Sequence, residues 1–116
     1  MRGERGYPKA VRIRRRREFL ALQREGRRRH TAAFVVLTRP GASPTWRLGV
    51  TVSSRVGNAV VRNRVKRLVR EFFRQRRADL PGVSDVVVIA KPGAPSLTYA
   101  QAALELARAL DLSGAR

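Results

Sequence analysis

The chain has 116 residues, a length for one domain. Its 26 Lys and Arg stand against 8 Asp and Glu for a net charge of +18, and its 43% hydrophobic content suffices for a core; wholesale disorder is excluded and an anionic partner implied. With no cysteine and one histidine, a disulfide framework, a thiolate zinc site, a cysteine nucleophile and a histidine-based metal site are excluded, and a cytoplasmic location fits.

Residues 1–15 carry Gly, Pro and Arg with little apolar periodicity and read as a basic arm; residues 16–116 read as one domain. No apolar stretch follows the basic start as a secretory signal requires, and no apolar run would span a bilayer. A short helix is expected over Arg16 to Glu25, with Gly26 as its stop. Arg27 to His30 reads as a turn or short edge strand, and Ala33 to Thr38 as a strand. Arg39 to Pro44 is a loop by composition.

From Trp46 to Ser53 the residues alternate. Trp46, Leu48, Val50 and Val52 form a face for the core, with Trp46 as core rather than stacking platform. Arg47, Gly49, Thr51 and Ser53 form a polar, accessible face suited to a single strand of nucleic acid.

The stretch beginning at Gly57 is the most informative. On a helix N-capped by Asn58, Val61, Val65, Leu68, Val69 and Phe72 form one stripe, with Phe73 at its edge. Asn63, Lys66, Arg67, Arg70, Arg74 and Arg77 gather opposite, flanked by Arg62 and Arg64. One face can seal a core while the other presents cations to the phosphates of a polyanion.

Leu80-Pro81-Gly82 ends this segment. Val86 to Ala90 is apolar on both faces and reads as a central strand, reached from the Trp46 strand by a parallel crossover. Lys91 to Pro95 is a loop. A last helix is expected from Thr98 to Asp111, with a Thr98–Gln101 capping box and a core stripe of Leu97, Ala100, Leu104, Ala107 and Leu110.

The sequence supplies no protein-based active site. The eight carboxylates are scattered, and Asp79 and Asp85 read as element-end caps. His30 reads as polar surface, and no Walker-type loop is present. Recognition chemistry is what remains.

The segment Leu48-Gly49-Val50-Thr51-Val52-Ser53-Ser54-Arg55-Val56-Gly57-Asn58-Ala59-Val60-Val61-Arg62-Asn63-Arg64-Val65-Lys66-Arg67, continuing to Glu71, closely resembles the signature of the bacterial ribonuclease P protein family, whose hallmark is the Arg62-Asn63-Arg64 core. Weaker similarity covers Arg17-Glu18-Phe19 with Gly26, Phe34 to Leu37, Asp85 to Ala90 and Leu97 to Tyr99.

The resemblance implies an α+β sandwich in the order α-β-β-β-α-β-α, with a four-stranded sheet and a left-handed βαβ crossover. It implies a protein cofactor of a ribozyme that removes the 5′ leader of precursor tRNA, with hydrolysis left to the RNA subunit and its Mg²⁺. Arg55, Asn58, Arg62, Asn63, Arg64, Lys66, Arg67, Arg70 and Arg74 would meet the RNA subunit, one protein to one RNA. Phe19, Gln23, Val35, Leu37, Thr51 and Ser53 would line a leader cleft, and no residue is catalytic. Gln23 and Leu37 stand where many relatives carry aromatics, and Ser54 where a lysine is usual. Neither a membrane nor a small-molecule substrate is implied. The alternatives are a ribosomal or RNA-chaperone scaffold, which the Arg-Asn-Arg helix disfavours, and a self-sufficient nuclease, which the scattered carboxylates disfavour.

Overall fold

The computed structural model describes Ile13 and residues 16–40, 47–79 and 84–112. The rest of the expected arm, Trp46 and Leu80-Pro81-Gly82 lie outside the described residues, as does the Arg77 side chain. In chain order the elements are α1 (Arg16–Glu25), β1 (Arg27–His30), β2 (Phe34–Pro40), β3 (Arg47–Thr51), α2 (Ala59–Arg76), β4 (Ser84–Ala90) and α3 (Tyr99–Ala109). Short 3-10 turns cover Arg77–Asp79 and Ala94–Ser96. This is the α-β-β-β-α-β-α order expected of an α+β fold.

The sheet runs β1-β2-β4-β3, with β3 and β4 parallel and the other pairs antiparallel. Its two faces are covered unequally. Phe34, Val36, Leu48, Val86 and Val88 join Val65, Val69, Phe72 and Phe73 of α2 and Leu106 of α3 in the main core. On the other face Val35, Leu37 and Val87 form a smaller core with Leu22 of α1 and Ile13, flanked by Phe19 and Ile89. Covering both faces is what makes β4 apolar on both.

Three local readings change. Asp85 is no cap: it is 1% exposed, in register with Arg39 of β2 and Arg47 of β3. Its Oδ1 accepts from Arg47 Nε at 3.1 Å and its Oδ2 from Arg47 Nη2 at 3.2 Å, with Arg39 Nη2 3.6 Å from Oδ2. A buried carboxylate requires such partners. On α2, Phe73 is fully buried while Val61 and Leu68 are only half-buried, because the core wraps toward the C-terminal side of the helix. On α3 the stripe is rotated: Ala102, Leu106, Ala107 and Ala109 are buried, whereas Ala100 and Leu104 face outward. Ala107 is buried and Leu97 and Leu110 pack against the core as expected; packing against α2 and β2 turns the rest of the stripe toward Ala102 and Leu106.

The ends of α3 follow local rules. The capping box is present, with Gln101 N–H donating to Thr98 Oγ1 at 3.1 Å and Thr98 N–H to Gln101 Oε1 at 2.9 Å. At the far end Leu112 N–H donates to Ala107 O and Asp111 N–H to Arg108 O, a Schellman closure. It places Asp111 at φ 57°, and the Asp111 carboxylate receives Arg29 at 2.8 Å.

Candidate nucleic-acid interface

Two surfaces carry the polar chemistry. The first is the outer face of α2. Asn58 starts the helix by accepting the Val61 N–H on Oδ1 at 3.0 Å, so part of its side chain is spent on the cap. Gly57 lets the chain turn in tightly here, since a Cβ would come within 2.8 Å of Val61. Asn63, Arg64 and Arg67 are exposed along the helix; Arg62, Lys66 and Arg70 are half-buried.

The cations are not equally free. Arg64 Nη1 donates to Pro95 O at 3.0 Å, tying α2 to the 3-10 turn ahead of α3. Arg74 is held by Glu71, at 2.9 Å from Nε and 2.6 Å from Nη2, and Gln75 adds a third bond to the same carboxylate. These bonds, Arg74 first, lower the Glu71 pKa to about 2. Lys66, Arg67 and Arg55 enter no ion pair among the described residues. Arg62 Nε is buried with no acceptor among the described residues, which carries a desolvation cost.

Sequence reading missed Val60, which is 76% exposed. It lies three and four residues before Asn63 and Arg64, on the same helical face. That spacing was the available signal: an apolar side chain in line with the cations.

The second surface is a groove of about 420 Å³ between α1 and β3, lined by Arg16, Phe19, Leu20, Gln23 and Thr51. It brings together three of the six expected cleft residues. Ser53 lies beyond it, with Oγ accepting from Arg55 N–H at 3.3 Å. Val35 and Leu37 need correction: Leu37 is 0% exposed and Val35 nearly so, because α1 seals that part of the sheet face. Arg16 and Leu20 take their place, and their signal was the one-turn spacing around Phe19.

The expected polar face of β3 is also less open than its alternation suggested. Gly49 is buried, and a Cβ there would sit 2.8 Å from Phe19 Cζ and 3.2 Å from Ile13 Cβ. Glycine is what allows the Phe19 ring to lie against the strand. Beside it, Arg47 is shared between Asp85 and Glu18 of α1, the latter at 3.1 Å. The hydrogen bond to Asp85 leads in raising the Arg47 pKa above its ordinary value, against the opposing effect of burial. At the other end of α1, Glu25 meets Arg39 at 3.1 Å. Both ends of the groove's helical wall are thus tied, through arginines on flanking strands, to one buried carboxylate.

Comparison with known proteins agrees with this arrangement. The family profile described as Ribonuclease P matches residues 7–112. The chain is 52% identical over 103 residues to the ribonuclease P protein component of Desulfovibrio desulfuricans, covering 85% of this chain and 79% of that one. It is 46% identical to that of Citrifermentans bemidjiense, covering 89% and 88%. Its structure matches the RNase P protein of Staphylococcus aureus with a TM-score of 0.82 at 32% identity, over 92% and 98% of the two chains. The Thermotoga maritima RNase P protein matches at 0.79 and 33%, over 89% and 98%. The helices and the four-stranded sheet therefore share the fold of known relatives, and the chain belongs to the ribonuclease P protein family.

Proposed function

We propose that this chain is the protein cofactor of a ribonuclease P ribonucleoprotein, binding the catalytic RNA through α2 and the 5′ leader of precursor tRNA in the α1–β3 groove. The observation that carries the reading is the outer face of α2, where, among the described residues, Arg67 and Lys66 enter no ion pair and Arg62 Nε is buried without an acceptor. Arginine forks on a fixed helix match the spacing and geometry of phosphates. Arg55, Asn58, Asn63, Arg64, Arg70 and Arg74 extend the same surface, with Arg74 contributing least while Glu71 holds it.

The groove suits one strand rather than a duplex. Phe19 and Leu20 offer an apolar wall, Gln23 and Thr51 hydrogen-bonding groups, and Arg16 a charge. Precursor and mature tRNA differ by the leader alone, so a contact made only to the leader favours precursor binding. For Mg²⁺, no group of three His, Asp or Glu side chains comes together among the described residues. The ion, and the activation of water it supplies, are assigned to the RNA subunit.

Cleavage of precursor tRNA at low Mg²⁺, with RNA alone, protein alone and both, tests the reading. Activity is expected with both together. Cleavage by protein alone would establish a self-sufficient nuclease, and no stimulation of the RNA would establish a scaffold.

A further inference from the structure

Among the described residues β1 pairs with β2 alone and lies three strands from β3, about 14 Å away at ordinary strand spacing. All four of its residues, Arg27, Arg28, Arg29 and His30, are basic or titratable. One charged side chain suffices to protect a sheet edge from pairing with another chain; here Arg27, Arg28 and His30 are all exposed. Register places them on both sides of the edge. Arg27 and Arg29 lie opposite Thr38 and Val36 on the face covered by α2 and α3, while Arg28 and His30 lie opposite Leu37 and Val35 on the α1 face.

The patch continues onto α3. A depression of about 400 Å³ lies between β1 and α3, with Arg29, His30, Thr31, Glu105 and Arg108 in its lining. Glu105, the one acid in this lining, is already occupied, as are Asp111 and Glu25 outside it. Glu105 Oε1 accepts from Thr31 Oγ1 at 2.7 Å and from Ala33 N–H at 3.0 Å. Asp111 holds Arg29, and Glu25 meets Arg39. Arg27, Arg28 and Arg108 enter no ion pair among the described residues. The charge left over is therefore arginine charge, on a ridge open from both sides.

We infer that this edge is a second RNA-docking surface, and that its occupant is a further backbone segment of the RNA subunit. The inference rests on the function proposed above. Arginine forks repeated along an extended strand fit a chain of regularly spaced phosphates. The described part of the protein measures only 34 × 32 × 32 Å, so a large RNA seated on α2 has the reach to wrap to the far edge of the sheet.

The chain has no cysteine, so Arg28→Cys and, separately, Gln75→Cys near the end of α2 give single attachment points for a hydroxyl-radical-generating iron chelate in the assembled holoenzyme. The expected result is cleavage of the RNA subunit from both positions, in different segments. Cuts from position 28 confined to precursor tRNA, or none while position 75 cuts the RNA subunit, would overturn the inference. Silence from both would overturn the α2 docking proposed above, and this inference with it.

The triple variant Arg27→Ala, Arg28→Ala, Arg108→Ala supplies the second readout. Its affinity for the isolated RNA subunit should fall about tenfold or more, and the slope of log affinity against log salt should shrink by about 2–3. Its thermal midpoint should be unchanged. An unaltered salt slope would show the edge to be merely solvated.

Discussion

Arg47 divides its guanidinium between Asp85 in the sheet interior and Glu18 on α1, and so joins the buried centre of the sheet to the wall of the groove. The carboxylate is inaccessible, and its ion-pair partners come from the strands on either side. A buried charge of this kind adds little net stability compared with an apolar replacement, but removing one partner strands the other. Its value here is positional: Glu18 and Glu25, about two helical turns apart, bring both ends of α1 onto the same site.

Replacing Asp85 with Ala should therefore destabilise the fold by about 3–5 kcal/mol, since Arg47 is left half-buried without its main counter-ion. Denaturant unfolding measures this. A loss below about 1 kcal/mol would show that Arg47 re-pairs with Glu18 alone, and that Asp85 does not organise the site.

Gly49→Ala tests the groove more locally. The added methyl meets the tip of the Phe19 ring at 2.8 Å and Ile13 at 3.2 Å, so the ring must swing toward the groove. The expected cost is about 1–3 kcal/mol of stability. Precursor affinity should fall several-fold, with affinity for mature tRNA and for the RNA subunit unchanged. Equal losses for precursor and mature tRNA would show that the groove does not read the leader.

The elements of this fold were legible because local signals agreed. Gly26 ends α1, Asn58 starts α2, and Thr98 with Gln101 starts α3. What sequence could not show was which of two permitted faces tertiary contact would choose. Of the expected stripe Leu97, Ala107 and Leu110 do meet the core, but Ala100 and Leu104 are exposed and α3 buries Ala102 and Leu106 instead. Likewise β3 alternates correctly, but nothing in its alternation reveals that Phe19 closes over Gly49. Asp85 looked terminal because β4 was expected to begin at Val86; the strand starts at Ser84 and carries the carboxylate inside. Of the candidate site, the cationic helix was readable and the depth of the cleft was not, since Leu37 could be placed beneath α1 only once α1 was docked.

The division of α2 into two faces gives a third test. Val69 is fully buried and Arg67 exposed. Val69→Ala should lower stability by roughly 1–3 kcal/mol through lost burial and the cavity left behind, leaving RNA affinity unchanged in the folded fraction. Arg67→Ala should leave the unfolding midpoint alone and weaken RNA-subunit binding by about 1–3 kcal/mol. Calorimetric unfolding and filter binding separate the two, and a shared phenotype would contradict the assignment of faces. Leu68 is a poorer probe, being only half-buried.

Glu71 provides the pH test. Its carboxyl pKa is lowered to about 2 by Arg74 first and Gln75 second, so the folded state favours the ionised form. A group depressed on folding contributes its stability above its unfolded pKa and loses it as pH falls through the folded value. The window runs from about pH 4.5 down to about pH 2. The side chain is 40% exposed, so solvent and salt screen the pair and the contribution stays below about 1 kcal/mol. Glu71→Gln should flatten the stability profile across that window. At neutral pH the same change releases Arg74 and removes a negative charge from the helix proposed to meet RNA, so RNA-subunit affinity should rise a few-fold at low salt and converge with wild type as salt increases. Weaker binding by Glu71→Gln would mean that the pair serves to aim Arg74 rather than to occupy it.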